Sequence, residues 1–383
     1  MIKAHRRHLL LILTICLGLL ALLASGQVTT STWADQSDGQ VVHCLPGGCV
    51  TWPNNDDWTE DRVTGPHPED SSVTAVLRPG NWTTSLYPDN GRGGVDYDVV
   101  VDTAPPVQLF KAVTINSINV AAAGVVNIRE RATLTLRQNS VVDGVLRLND
   151  TDPEFTLGND ATLRIDGDVA LSGAGQVLLN TANSNNIESL DPADTLTLGS
   201  GVVLGTNGGD ARGDVNVHLT NNGLLDVNGG AVRFVSPQKT LTNNTLIHLR
   251  NGGELGFSVG NVIENGLGTI TIDPASELTT SATGVDGPTL IRGGLINGGG
   301  TMTVAGATIL DGIGITLDNL TVTIGIGNST SLTFRGDAVN NSTIRLNDTN
   351  TNQLARAKLL VDGNVSLSGT GLDPFCHEPV ELD

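Results

Sequence analysis

Aromatic residues are scarce in this chain, at 3% of 383 residues, and neither tryptophan nor tyrosine occurs beyond residue 97. These rigid, partly polar rings are the usual stacking platforms of contact surfaces, so residues 98–383 offer no such platform for a sugar ring. All four tryptophans and both tyrosines lie before residue 98, in a stretch that is also rich in proline. This shift in composition predicts an irregular, turn-rich N-terminal module over residues 27–97.

Basic residues are also few, since 21 Lys and Arg stand against 40 Asp and Glu and give a net charge of −19. Nucleic acids and anionic lipid surfaces are bound through clusters of basic side chains. The balance therefore excludes nucleic acid and anionic membranes as partners. It is typical of a soluble extracellular protein, or of one that attracts cations weakly over its whole surface.

A long apolar run occurs only once, at residues 9–24, after the basic segment 1–8 and before the small residues 24–26. This order is that of a secretory signal peptide, and the run is shorter than the roughly 20 residues of a membrane span. Residues 1–26 are therefore predicted to be a signal peptide, with an uncleaved anchor helix as the alternative. The mature protein is expected to be secreted or held at the cell surface.

Cysteine is rare, with four in the chain, one of them Cys16 inside the apolar run. Cys44 and Cys49 flank a Leu-Pro-Gly-Gly turn. In an exported protein this spacing favours a small-loop disulfide between them. A metal site that includes His43 is the alternative, and Cys376 is left without an assigned partner.

From about residue 98 the sequence consists of short alternating apolar and polar segments separated by Asn-Gly, Asp-Gly and Gly-Gly turns. This pattern predicts β-strands, and no stretch beyond the signal keeps a helical period. Residues 219–234 align with 241–257, which pairs Leu225 with Ile247 and Phe234 with Phe257. The offset of 22 to 23 residues is that of a solenoid coil.

The predicted fold is therefore all-β: a parallel β-helix over residues 98–371 with coils of about 22 residues. Val, Leu and Ile are expected to stack inward, Thr, Asn and Asp to face outward, and Gly and Asn to occupy positive-φ corners. About 12 coils at roughly 4.8 Å each would form a rod near 60 Å long. A β-sandwich or several small β-domains are the alternatives.

A longer repeat relates residues 146–150 to 344–348, and residues 163–175 to 359–371. The offsets of 198 and 196 residues correspond to roughly nine coils, so we expect a duplicated block of coils. Residues 372–383 have neither alternation nor turn signals. They are interpreted as a non-repeat tail that marks a truncation, because an uncapped last coil leaves an open strand edge.

The Asn-Asn-Gly and Gly-Gly texture of the coils, the signal peptide and the strand-rich segment 97–120 together resemble bacterial secreted β-helix proteins. Passenger regions of autotransporters and haemagglutinin-like adhesins are the best-known members. The resemblance covers residues 98–371 and implies an adhesin, a stalk or a matrix protein. A minority of right-handed β-helices cleave polysaccharides, which is the alternative implication.

The residue types needed for catalysis do not cluster in the sequence of the predicted solenoid. Its lysines are Lys111, Lys239 and Lys358, and most of its acids are single Asp residues in Asp-Gly turns rather than the paired carboxylates of glycosidases. His218 and His248 are isolated and expected to face outward. The prediction is a non-catalytic structural or adhesive protein without a cofactor, whose partners are cell-surface or matrix glycans or proteins; the alternative is a polysaccharide lyase or glycosidase.

Three weaker motifs remain. Residues 91–98 resemble a calcium-binding glycine-aspartate motif and make Asp96 and Asp98 candidate calcium ligands, with turn formation as the alternative. Arg-Gly-Asp triplets at 212–214 and 335–337 would require exposed loops to act in cell recognition. Thr-x-Thr pairs such as Thr195/Thr197 and Thr301/Thr303 would bind ice only as a regular ladder, and β-propensity explains them equally well.

Overall fold

The computed structural model describes an all-β protein in which a parallel solenoid makes about ten turns spaced about 23 residues apart. The described residues are 27–32, 41–45, 48–52, 88–91, 95–102, 106–148, 160–180, 184–258, 260–281, 287–312, 314–325, 330–346 and 357–371. Within these ranges the regular structure is entirely strand, which confirms the predicted fold class. The predicted signal peptide at 1–26 and the tail at 372–383 lie outside the described residues.

Each coil contributes one strand to each of three faces, called A, B and C, and the strands are numbered in chain order. Face A is a 13-stranded parallel sheet of β1 (Gln27–Thr32), β4 (Val95–Val101), β7 (Ser117–Val120), β10 (Ser140–Val142), β13 (Val169–Ser172), β16 (Thr195–Leu198), β19 (His218–Asn221), β22 (Thr240–Asn243), β25 (Val262–Glu264), β28 (Thr289–Arg292), β31 (Ala307–Asp311), β33 (Ser331–Arg335) and β35 (Lys358–Val361).

Faces B and C share a 21-stranded sheet, because β32 (Ile315–Ile324) and β34 (Ala338–Leu346) run across the corner between them. Face B contains β5 (Val107–Leu109), β8 (Val125–Ile128), β11 (Val145–Leu148), β14 (Gln176–Leu179), β17 (Val203–Asn207), β20 (Leu224–Asn228), β23 (Leu246–Arg250), β26 (Thr269–Ile272), β29 (Leu295–Gly298) and β36 (Leu367–Ser368). Face C contains β6 (Ala112–Ile115), β9 (Thr133–Leu136), β12 (Ala161–Ile165), β15 (Ser184–Ser189), β18 (Arg212–Asn216), β21 (Ala231–Phe234), β24 (Glu254–Phe257), β27 (Glu277–Thr280) and β30 (Thr301–Val304).

The core is a set of apolar columns that run along the solenoid axis. The register places Leu225 against Ile247 and Phe234 against Phe257, as the sequence alignment of the two coils predicts. The two phenylalanine rings stack with centroids 4.9 Å apart and an interplanar angle of 12°. Because a single coil cannot enclose its own apolar face, these axial contacts between coils provide the burial that holds the fold.

The corners depend on glycine where the backbones of successive coils come close together. Gly230 has φ +71°, and a Cβ atom added there would lie 2.1 Å from the carbonyl oxygen of Ala211 in the preceding coil. Asn251 and Asn319 also have positive φ, at 55° each, which confirms the expected corner role of Asn at these two positions.

The expectation that asparagine faces outward is wrong at the corner between faces A and B. Asn221, Asn243 and Asn265 are fully buried and form what we call the amide ladder. Asn221 Nδ2 donates to Asn243 Oδ1 at 2.9 Å, and Asn243 Nδ2 donates to Asn265 Oδ1 at 2.7 Å. Burial is tolerated because each carboxamide carries both a donor and an acceptor, so that identical residues satisfy one another in a stack.

The long repeat does not correspond to a whole number of coils. Residues 146–148 belong to β11 on face B, whereas 344–346 belong to the part of β34 on face C. Likewise Leu163 lies on face C, and its repeat partner Leu359 lies on face A. The copies are displaced by eight coils and one face, so the expectation of a block of nine coils is wrong. Coil lengths differ, and the residue offset alone therefore did not reveal the shift.

The N-terminal segment contributes to the solenoid sheet. β1 pairs in parallel with β4, from Gln27 opposite Val95 to Thr32 opposite Val100. A separate antiparallel hairpin is formed by β2 (Val41–Leu45) and β3 (Gly48–Trp52). Part of the segment predicted as a separate module, residues 27–97, therefore extends face A.

Candidate functional site

The predicted disulfide lies in the β2–β3 hairpin. Its backbone register sets Cys44 directly opposite Cys49, and Leu45 opposite Gly48. Directly opposed residues in an antiparallel pair have Cα atoms about 4.5–5.5 Å apart, within the range that a disulfide spans. The side chains of this hairpin are outside the described residues, so the disulfide stays a prediction.

The predicted calcium ligands, Asp96 and Asp98, lie two residues apart on β4 of face A. The Ser117 hydroxyl in the next coil donates to Asp98 Oδ1 at 2.7 Å, so this carboxylate stabilises the contact between two coils. In the part of the chain that the structure describes, no group of three or more His, Cys, Asp or Glu side chains is arranged so that it could hold a metal ion. Calcium binding at Asp96 and Asp98 remains a prediction that awaits a measurement.

The two histidines of the central coils occupy outward positions, as expected. His248 on face B has its Nε2 atom 3.1 Å from Asp273 Oδ2, at the corner that follows the strand of the next coil. His218 on face A accepts a hydrogen bond at Nδ1 from the backbone N–H of Thr240, at 3.1 Å. Each ring thus contacts a neighbouring coil.

The first Arg-Gly-Asp triplet is part of a strand and not of a loop, because Arg212, Gly213 and Asp214 all belong to β18. Gly213 points inward, and a Cβ atom there would lie 2.2 Å from Leu179 Cδ1. Burial is the main cause of the raised pKa of Asp214, and the neighbouring charge of Arg233 partly opposes it. The flat strand backbone does not present the triplet as a protruding loop.

The second triplet, 335–337, begins at the last residue of β33 and continues into the following bend, but both charged side chains are engaged within the solenoid. Arg335 Nε lies 2.8 Å from Asp362 Oδ2. Asp337 Oδ1 accepts a hydrogen bond from the Ser366 backbone N–H at 2.9 Å. Recognition by a partner through this triplet would require breaking these contacts.

Alternating charges run up the outside of face A through five successive coils, and we call them the charge ladder. Its members are Glu264, Arg292, Asp311, Arg335 and Asp362. Arg292 Nη1 lies 2.5 Å from Glu264 and its Nε lies 3.3 Å from Asp311. The hydrogen bond to Glu264 is the main cause of the raised pKa of Arg292. The register places these residues in one row, so their charges alternate along the axis.

Polar side chains on the other faces are paired between coils in the same way. Arg250 donates to both carboxylate oxygens of Asp226, at 2.8 and 2.7 Å. On face C, Arg164 donates twice to Glu188 Oε1, at 2.8 and 2.6 Å. In these pairs the outward charged side chains are occupied by contacts between neighbouring coils.

One region of face A differs, and we call it the threonine hollow. It has a volume of about 270 Å³ and is lined by Ala193, Thr195, His218, Leu219, Thr220, Thr240 and Thr242. Within the described residues, the hydroxyls of its four threonines make no hydrogen bond to another protein atom. The register places Thr195 beside His218, and Thr220 beside Thr242.

A buried lysine holds the loop that forms one wall of the hollow. Lys239 precedes β22, and only 7% of the residue is exposed. Its Nζ atom donates to the carbonyl of Pro192, 2.7 Å away and two coils earlier. Burial is the main cause of its lowered pKa, while the charges of Asp191 and Asp194 act in the opposite direction. Lys239 therefore fastens the 191–194 loop against the sheet.

His218 is held as a neutral wall of the same hollow. Burial first, and the charge of Lys239 second, lower the pKa of its ring. Because Nδ1 accepts the Thr240 N–H, the neutral ring carries its proton on Nε2. The hollow consequently combines hydroxyls with an uncharged imidazole and has no charged side chain in its lining.

A second hollow of about 270 Å³ lies on face C, where Gly256 leaves a gap in a row of outward side chains. Arg233 and Glu254 on its rim are 3.5 Å apart and neutralise one another. Phe234 and Phe257 also line it, but both rings are buried in the core. The Ser258 hydroxyl donates to the Phe234 carbonyl at 2.8 Å, whereas the hydroxyls of Thr279 and Ser281 have no protein partner among the described residues.

The sequence alone did not identify the threonine hollow as a site. Thr195/Thr197 is one of several Thr-x-Thr pairs in the sequence, and no motif distinguishes the pair Thr240/Thr242 from the others. The alignment of 219–221 with 241–243 contained the signal, because it stacks Thr220 on Thr242. Lys239 appeared only as one of three isolated lysines, since its contact with Pro192 spans 47 residues.

In the described ranges, no helix has the length and apolar character needed to span a membrane. No protein-family model, curated protein or solved structure matches this chain.

Proposed function

We propose that this protein is a non-catalytic extracellular scaffold that presents a long, rigid β-helix surface, as an adhesin or a structural component. The observation that carries the proposal is the axial pairing of outward side chains, in the charge ladder and in pairs such as Arg250–Asp226. Groups held in this way are preorganised as a surface and are not available as acids or bases for catalysis.

The export signal supports an extracellular location for this scaffold. A basic segment, an apolar run and small residues occupy positions 1–26 in the order that secretion requires. The Cys44–Cys49 disulfide belongs to the same proposal, because an oxidising compartment would form it. Mass spectrometry of the exported protein is expected to give an N-terminus near residue 27. An exported chain that retains residues 1–26 would establish the anchor alternative.

Two assays of the full chain test the proposed function. Labelled protein is expected to bind to cells, to immobilised glycans or to matrix proteins. Failure to bind in all three panels would contradict adhesion and leave only a structural role. The second assay incubates the protein with uronic-acid polymers and calcium, and we expect no turnover. Turnover would overturn the proposal in favour of a polysaccharide-active enzyme, the other activity found on this kind of scaffold.

A further inference from the structure

The threonine hollow is distinguished by its shape, since it is a concavity of about 270 Å³ with four threonines in its lining. Outward threonines elsewhere are of two kinds: Thr271 on face B donates to Asn297 Oδ1 at 2.9 Å, whereas the hydroxyls of Thr303 and Thr323 on face C have no protein partner among the described residues. The hydroxyls of Thr220 and Thr242 belong to the second kind, and the concavity brings them together on neighbouring coils. In water they are hydrated, and a ligand that supplies equivalent hydrogen bonds can replace that water at little cost.

The walls of the hollow are fixed before any ligand arrives. Lys239 is buried and holds the Pro192 carbonyl, while His218 is held by the Thr240 N–H. Asp194 Oδ2 also accepts the Gly167 backbone N–H at 2.9 Å, which ties the same loop to the coil below. A preformed concavity loses little conformational entropy on binding.

The chemistry of the lining selects the class of ligand. Each threonine hydroxyl can both donate and accept, and the γ-methyl groups beside it provide apolar contact. No charged side chain lines the hollow, and the chain carries a net charge of −19, so an anionic ligand gains nothing there. The volume of about 270 Å³ lies just below the roughly 300–1,000 Å³ of pockets that enclose drug-sized molecules, which suits one small residue of a polymer.

We infer that the threonine hollow is a binding subsite for one residue of a neutral saccharide. Thr220 and Thr242 exchange hydrogen bonds with the sugar hydroxyls, and the fixed ring of His218 and the wall at Ala193 limit the orientation of the sugar. This site rests on the proposed adhesive function and specifies its ligand class. Lys239 is a positioning residue, because it acts on the loop and is not part of the lining.

The test uses the full chain and a panel of immobilised neutral and uronic-acid oligosaccharides, followed by titration calorimetry with the neutral sugars that bind. Thr220→Val and Thr242→Val remove one hydroxyl each at nearly constant volume. Each is expected to weaken binding about 3- to 10-fold, the effect of one neutral hydrogen bond. The matched control, Thr303→Val/Thr323→Val, removes two outward hydroxyls from face C and is expected to leave binding unchanged.

Melting curves check that each variant is folded, and the remaining outcomes separate this site from the broader function. Neutral-sugar binding that survives Thr220→Val/Thr242→Val would overturn the subsite while leaving adhesion intact. Binding to uronic-acid oligosaccharides alone would overturn it as well. Failure to bind any sugar, together with binding to cells or matrix proteins, would overturn the subsite and support a protein partner.

Discussion

The amide ladder and the charge ladder are built on the same axial repeat but lie on opposite sides of the sheet. The amide ladder stacks Asn221, Asn243 and Asn265 inside the corner between faces A and B. The charge ladder begins one residue away, at Glu264, and continues outside face A through Arg292 and Asp311. Identical carboxamides stack on each other, whereas charged residues have to alternate in sign.

The difference shows that burial determines which type of polar residue can recur at the same position in successive coils. A buried carboxamide has no water to replace a lost partner, so a missing rung leaves a costly unsatisfied group. The charges outside are 20–55% exposed and are screened by solvent, so each pair contributes little. We therefore expect the inner ladder to matter for stability and the outer ladder to matter mainly for strand register and salt response.

The largest effect is expected from Asn243→Ala, which removes the central rung of the amide ladder. Asn221 then loses an acceptor and Asn265 loses a donor, which lowers the free energy of unfolding by about 2–4 kcal/mol. Urea denaturation measures this change. The control Asn244→Ala removes a half-buried amide that donates to Asn222 at 2.8 Å, and its expected cost is below about 1 kcal/mol. Equal losses for the two variants would contradict the importance of burial.

Charge reversal at Arg292 should have a smaller effect that depends on salt. Arg292→Glu places a third acid between Glu264 and Asp311 and is expected to lower the free energy of unfolding by about 1 kcal/mol at low salt. Most of this loss should disappear near 1 M NaCl, where the screening length is about 3 Å. Thermal melts at the two salt concentrations provide the measurement. If the variant loses as much stability in high salt, the packing of the Arg292 side chain, and not its charge, causes the loss.

The stability contributed by face A is expected to depend on pH through His218, whereas the amide ladder has no group that titrates. Because its pKa is lowered in the folded protein, the unfolded chain binds a proton first as the pH falls below 6.5. Stability should therefore be full above pH 6.5 and decrease as the pH drops toward the lowered folded pKa, by less than about 1 kcal/mol. His218→Gln should flatten this part of the stability curve. A slope that persists in His218→Gln would show that another group causes it.

The smallest effect is expected at Asp214, where stability depends on pH in the opposite direction to that at His218. Burial raises the pKa of this carboxyl above its ordinary value of 3.8, so the unfolded chain ionises first as the pH rises. The charged form thus opposes folding at neutral pH, and Asp214→Asn should stabilise the protein by a few tenths of a kcal/mol. The gain should vanish below pH 3.8. A loss of stability at neutral pH would mean that the attraction to Arg233 outweighs burial.

The sequence was sufficient for the architecture and for local register. Leu225 and Ile247 were paired correctly because both follow the same Leu-Thr-Asn-Asn segment, and inward alternation fixes which residues face the core. The face of each strand was not predictable, because short alternating segments look alike on all three faces. The long repeat shows this, since Leu163 and Leu359 lie on different faces.

The candidate site was harder to predict because it depends on contacts between coils. Asn221 is of a residue type that is typical of turns. Only its hydrogen bond to Asn243, 22 residues later, explains why it can be buried. Lys239 is isolated in the sequence, and its acceptor is a backbone carbonyl that no side-chain motif reveals. Polar groups of this kind are assigned only when the coil register is known.

The one-face displacement of the long repeat has a consequence for how such a chain can change. Residues 163–165 and 359–361 form strands on face C and face A respectively, from closely similar sequence. A strand and the turn that follows it are thus compatible with more than one face of the solenoid. A chain of this kind can therefore gain or lose one third of a coil and keep its core, because inward alternation is the same on every face.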